Sequence, residues 1–226
     1  MARHSSQAES TTRHVSLVAL PDSAASTLFG LFDVMNSFAL MDGLHAPGTR
    51  PPFKAEIVGE KTGPLVVASG VPVNVQRAVD SVETTDIVIV PSIVLRPGGW
   101  QKQRYPRLNA WLRRMHERGA VLCSACSGIF LLAETGLFDG KAATVHFGYA
   151  EDFAATHPSV PVHPDRVLVI SGVREEFVTS GASTSWHDLV LYLIARYAGS
   201  TTAQEAARLF ALQWHQDGLS PYIVFK

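Results

Sequence analysis

Uninterrupted apolar runs alternate along this chain with stretches whose apolar residues recur every three or four positions. Residues 15–20 form an apolar run, the mark of a strand buried on both faces, and Pro21-Asp22-Ser23 closes it. Leu28, Leu31, Phe32, Met35 and Phe38 then follow helical spacing. A loop with three prolines and a glycine spans 46–52, ahead of a second strand at 53–59 and a short third at 65–68. Residues 86–90 read as another buried strand ended by Pro91, and Arg96-Pro97-Gly98-Gly99 as a loop. Tyr105, Leu108, Trp111, Leu112 and Met115 predict an amphipathic helix that stops at Gly119. A strand at 120–123 and a helix from about Ser127 come next. Strands at 167–170 and 177–179 suggest a hairpin around Gly172. The stripe Trp186, Leu189, Val190, Leu193, Ile194 and Tyr197 is helical and ends at Gly199. Thr202 and Glu205 have capping-box spacing for a last helix over 203–212.

Strands alternating with helices predict an α/β fold, a three-layer αβα sandwich around a mostly parallel sheet. Residues 1–13 are polar, rich in Ser and Thr, and read as a disordered leader; residues 14–226 read as one domain. With 226 residues and 46% hydrophobic content, the chain can bury a full core. Its formal net charge of −1, with no block of Lys and Arg, argues against a surface that grips nucleic-acid phosphates. Two cysteines only three positions apart cannot build a disulfide framework, and no signal-like run opens the chain, so a cytoplasmic setting is expected. No segment approaches the roughly 20 apolar residues that span a bilayer. No metal site and no cofactor are expected: Cys123 and Cys126 lack the second pair that zinc requires, and His146, His157 and His163 lack ligand spacing.

The chemistry concentrates where the strand at 120–123 breaks into a helix. In Ala125-Cys126-Ser127-Gly128, small residues permit a tight turn resembling a nucleophile elbow. A thiol there faces a helix N-terminus, whose amides can stabilise a thiolate or an oxyanion. Cys126 therefore has two readings, a ligand-facing or reactive thiol and a small buried residue at a strand–helix junction. Cys123, inside the strand, is expected to be buried and inert. His187 and Asp188 are adjacent on a helix and point to different sides, so they make no triad by themselves.

The run from Cys126 through Leu131-Leu132-Ala133-Glu134-Thr135-Gly136-Leu137-Phe138-Asp139-Gly140-Lys141 to Ala143-Thr144-Val145-His146 resembles the ThiJ/PfpI branch of the class I glutamine amidotransferase-like superfamily. Val178-Thr179-Ser180-Gly181 and Asp188-Leu189-Val190-Leu191 extend the resemblance, which covers most of the chain. It implies a flavodoxin-like sheet, with Cys126 as the reactive or ligand-facing thiol and His146, 20 residues on, as its neighbour. Many members place a carboxylate beside the cysteine from the helix after the first strand. Here that position falls on Thr27, and Asp33 lies at another helical phase. Many also have glycines where this chain has Pro91-Ser92-Ile93, whose amides would help form an oxyanion site.

Residues 25–34 and the ending Trp214-His215-Gln216-Asp217-Gly218-Leu219-Ser220-Pro221-Tyr222 are similar to the N-terminal domain of AraC-type transcriptional regulators. That resemblance implies a ligand-sensing regulatory domain that dimerises and reaches DNA only through a helix-turn-helix domain absent from this chain. Residues 202–209 superficially resemble a first helix of such a motif, but 214–226 are too short and too broken to supply the second. On this reading Thr27, Ser92 and Ser127 line a small-molecule pocket beside Cys126 and His146. The alternatives are a cysteine-dependent ThiJ/PfpI-type hydrolase or isocyanide-hydratase-like lyase using Cys126 and His146, and an oxidation sensor in which Cys126 cycles through a sulfenic acid.

Overall fold

The computed structural model describes residues 11–40, 50–215 and 218–223. In chain order its elements are β1 (Arg13–Val18), α1 (Ala25–Leu40), β2 (Phe53–Gly59), β3 (Gly63–Val66), β4 (Pro72–Val75), β5 (Arg77–Ala78) and β6 (Ile87–Val90). Then follow α2 (Pro106–Glu117), β7 (Val121–Ala125), α3 (Ile129–Ala133), α4 (Ala150–Thr156), β8 (Leu168–Ser171), β9 (Phe177–Ser180), α5 (Trp186–Ala198) and α6 (Ser200–Phe210).

Seven strands form one sheet in the order β5-β2-β1-β6-β7-β9-β8, parallel except for the antiparallel edge pair β8–β9. Register explains why the strand runs are apolar throughout. Leu17 aligns with Ile57 and Ile89, Ile89 with Cys123, and Cys123 with Val178, so apolar residues run across one face at this level. That face packs against α1, α5 and α6. The alternate positions Val18, Val88, Val90, Leu122 and Phe177 face α2, α3 and α4, where Trp111, Phe130 and Phe153 fill the second core. The central strands β1, β6 and β7 thus carry apolar residues at both parities, as a sheet covered on both sides demands.

The structure corrects several sequence expectations. β1 already includes Arg13, which pairs with Asp86, and Thr12 donates to the Pro51 carbonyl, so the polar leader ends before these residues; residues 1–10 lie outside the described part. Most of the loop expected at 46–52 is likewise outside it, since residues 41–49 are not described. The short third strand is half of a hairpin, β3 with β4, which stands apart from the main sheet. The helix after Cys126 starts as a single 3-10 turn and continues only as the five residues of α3. α4 was not expected at all. The capping box does not form: α6 starts three residues early, at Ser200 after the N-cap Gly199 (φ 94°), and the Thr202 hydroxyl donates back to the Ala198 carbonyl. The hairpin expected around Gly172 is present as β8–β9.

Candidate functional site

The carboxyl ends of β1, β6, β7 and β9 meet on one side of the sheet, on either side of the point where the chain changes direction across it. β7 runs into Cys126, whose φ of 55° is in the left-handed region, and the chain then turns at once into the 3-10 turn and α3. A non-glycine residue held there stores about 1–2 kcal/mol, so the surrounding structure must enforce the turn. Two contacts do so. A Cβ at Gly128 would lie 2.4 Å from the Val90 carbonyl oxygen, so only glycine lets α3 approach the end of β6 this closely. The Ser127 hydroxyl accepts from the Ile93 amide at 2.9 Å and donates to the Ile93 carbonyl, riveting the turn to the loop after β6.

These contacts define what the expected site residues do. Ser127 and the Ile93 N–H consume one another, which removes that amide as an oxyanion donor. Thr27, in the first turn of α1, donates to the Ser92 hydroxyl at 3.0 Å; both are buried, and the pair crosses from the end of β1 to the end of β6. The Cys126 thiol is 3% exposed and its one hydrogen-bond partner among the described residues is the Ser183 hydroxyl, at 3.9 Å, on the loop after the neighbouring strand β9. His146 does not hydrogen-bond to it. Instead, His146 Nδ1 accepts the Gly148 amide at 3.0 Å and caps a 3-10 turn, which puts the ring proton on Nε2. Burial lowers the His146 pKa, so the ring is neutral at neutral pH. Tyr149, whose ring centroid lies 5.5 Å from that of His146, has its phenol pKa raised by burial. Cys123 is fully buried in the core under α1 and α5, and burial pushes its thiol pKa far up.

His146 and Ser183 line a cavity of about 240 Å³ together with Phe147, Thr184, His215 and Tyr222. A larger cavity of about 730 Å³, lined by Lys102, Asn109, Arg113, Glu134 and His157 among others, contains none of these residues. Cys126, Thr27, Ser92 and Ser127 do not themselves line the smaller cavity; we place the site there because His146 lines it together with Ser183, the hydroxyl in contact with the thiol. Among the described residues no group of three or more His, Cys, Asp or Glu could hold a metal.

A model of the DJ-1/PfpI family matches residues 26–196. The chain belongs to this family. Among sequence relatives, this DJ-1/PfpI chain is 29% identical over 162 residues to the HTH-type transcriptional regulator CdhR of Pseudomonas aeruginosa, covering 71% of this chain and 45% of that protein. It is 25% identical over 177 residues to an isonitrile hydratase of Pseudomonas putida, covering 78% of this chain and 73% of that one. The crystal structure of an AraC family transcriptional regulator from Pseudomonas putida superposes with a TM-score of 0.71 at 16% identity, over 88% of this chain and 99% of that one. The chain thus spans less than half the length of the regulator CdhR. The α/β fold with its mostly parallel seven-stranded sheet is that of the DJ-1/PfpI family.

Sequence reasoning missed Ser183, Tyr149 and the pairing of Asp188 with His215. Asp188 and His215 were both visible as residues, but only the path of the chain after α6 joins them.

Proposed function

We propose that this DJ-1/PfpI domain is the ligand-sensing part of an AraC-type transcriptional regulator, with its pocket beside Cys126. The observation that carries the reading is the surroundings of the thiol. No base lies within hydrogen-bond reach of Sγ among the described residues, the Ile93 amide is already spent, and the acidic position holds Thr27, bonded to Ser92. A hydroxyl pair can donate to a ligand but cannot take a proton from a thiol at neutral pH. The likeness to HTH-type regulators supports the same reading. In it, the Cys126 turn is a nucleophile-elbow geometry put to use as a pocket floor, and Thr27, Ser92 and Ser127 shape that floor from below. Residues 14–226 form the sensing unit, which works in the cytoplasm as a homodimer. DNA contact belongs to a helix-turn-helix domain outside this chain. Ile170 and Val173, exposed on the β8–β9 edge, support a self-association surface.

A second reading, a lyase using Cys126 and His146, is favoured by the likeness to isonitrile hydratase over most of that enzyme. One experiment separates the two. Purified chain and Cys126→Ser are screened for thermal stabilisation by a small-metabolite library and assayed for hydration of an alkyl isonitrile. The sensing reading expects a compound that raises the Tm of both proteins and no hydration by either. Isonitrile turnover by the unmodified chain that disappears in Cys126→Ser overturns it.

A further inference from the structure

After α6 the chain folds back over the cavity lined by His146 and by Ser183, the neighbour of Cys126, and is fastened at two points. Asp188, in the first turn of α5 and 4% exposed, gives both carboxylate oxygens to one residue of this tail. Oδ1 accepts the His215 backbone N–H at 2.9 Å and Oδ2 accepts its ring Nδ1–H at 2.6 Å. Four residues on, Leu219 is fully buried against Gly181, where any Cβ would lie 2.5 Å from its Cδ1, and its amide donates to the Asp165 carbonyl. His215, Leu219 and Tyr222 are therefore fixed as one wall of the cavity, with His146, Phe147 and the Ser183 loop as the others.

The two imidazoles present opposite functions. Because an ionised carboxylate only accepts, Nδ1 carries the proton in the neutral form of the His215 ring, and the Nε2 lone pair is then the acceptor left over. His146 is the reverse, with Nδ1 filled by the Gly148 N–H and Nε2–H left as a donor. Neither Nε2 has a partner among the described residues.

We propose that His215, held by Asp188, is a ligand-contacting residue of this cavity, and that with His146 it selects small molecules carrying a carboxamide-like edge, a carbonyl acceptor beside an N–H donor. A carboxylate offers acceptors only and would meet the His215 lone pair unpaired. The inference rests on reading this cavity, next to Cys126 through Ser183, as the ligand pocket.

Iodoacetamide and iodoacetate test it, since they differ in this edge and both report on Cys126. In each, the thiolate sulfur forms a bond to the methylene carbon as the C–I bond breaks and iodide leaves. The full chain is alkylated at pH 8, and the rate ratio of amide to acid at Cys126, read by peptide mass spectrometry, is divided by the same ratio for glutathione. The expected value is about five, the worth of one net hydrogen bond of about 1 kcal/mol. It should fall to about one in His215→Phe, which keeps the ring and loses its nitrogens, and in Asp188→Ala, which frees the ring. Labelling of Cys123, buried in the folded chain, flags a variant that has unfolded, and the other variant then carries the comparison. If both unfold, the wild-type ratio decides. A wild-type ratio equal to that of glutathione, or one unchanged in the folded variants, overturns the inference and leaves the pocket standing. Failure of both reagents to reach Cys126 removes the pocket reading and the inference with it.

Discussion

Two cysteines three positions apart have opposite surroundings. Cys123 points from β7 into the core beneath α1 and α5, whereas Cys126 stands one residue beyond the strand, against Ser183 at the edge of a cavity. Alkylation of the folded chain should therefore modify Cys126 alone, and Cys126→Ser should take up no label until denaturant is added; mass spectrometry reads both outcomes. The histidines carry a second prediction. Burial lowers the pKa of His116, His146, His157 and His187 below the ordinary imidazole value of 6.5. The unfolded chain then binds protons more readily than the folded one, so the stability these groups support is complete above pH 6.5 and is lost as pH falls toward their lowered values. His157 is the most buried of the four, stacked on Phe153 with no partner for Nε2 among the described residues. Urea midpoints should drop between pH 7 and pH 5, and His157→Phe should flatten that drop; an equally steep fall in the variant would assign it elsewhere. Cys126 was legible from its place on a tight turn of small residues, and Thr27 through the family resemblance. Ser92 was also named as a pocket candidate, though not as the partner of Thr27; Ser183 comes from another strand end and left no local mark.

Elements that are long and strongly periodic, α1, α2 and α5, were legible because their apolar positions repeat over three or more turns. Those that were missed are short. α4 has seven residues and only Phe153 to bury, and β4 and β5 offer four and two. For such pieces the neighbours decide, as when Leu65 and Val66 find Val73 and Pro72 across the hairpin. Thr202 shows the same effect in reverse: its spacing to Glu205 suits a cap, yet α5 ends at Gly199 so abruptly that α6 begins before Thr202 can serve. The junction of β7 and α3 is where an element most depends on a single residue. Gly128→Ala should destabilise the fold by about 3 kcal/mol or prevent it, because the added methyl meets backbone oxygens of Val90 and Pro91 that cannot move without displacing β6. Chemical denaturation measures this; a loss below about 0.5 kcal/mol, the scale of surface substitutions, would mean that α3 is not pinned to β6.

At the scale of the molecule, the sheet order brings four strand ends together. With 19 Lys and Arg against 20 Asp and Glu, the chain carries no overall excess of positive charge for DNA phosphates to attract. Its affinity for duplex DNA, measured by fluorescence anisotropy, should be weak and nearly the same at 50 and 200 mM salt; a steep salt dependence would give this domain a DNA surface of its own. None of its described helices is long and apolar enough to cross a membrane.

The sequence by itself determined the layers, the strand–helix alternation and the turn at Cys126, because burial on both faces imposes apolar runs and a tight turn imposes small residues. Only the tertiary structure decided what surrounds the thiol. Thr27 met Ser92, Ser127 spent the Ile93 amide, His146 turned to Gly148, and a tail 27 residues beyond Asp188 brought His215 back to the pocket. These pairings join segments that are distant along the chain, and no local pattern of residues encodes which strand ends will be neighbours.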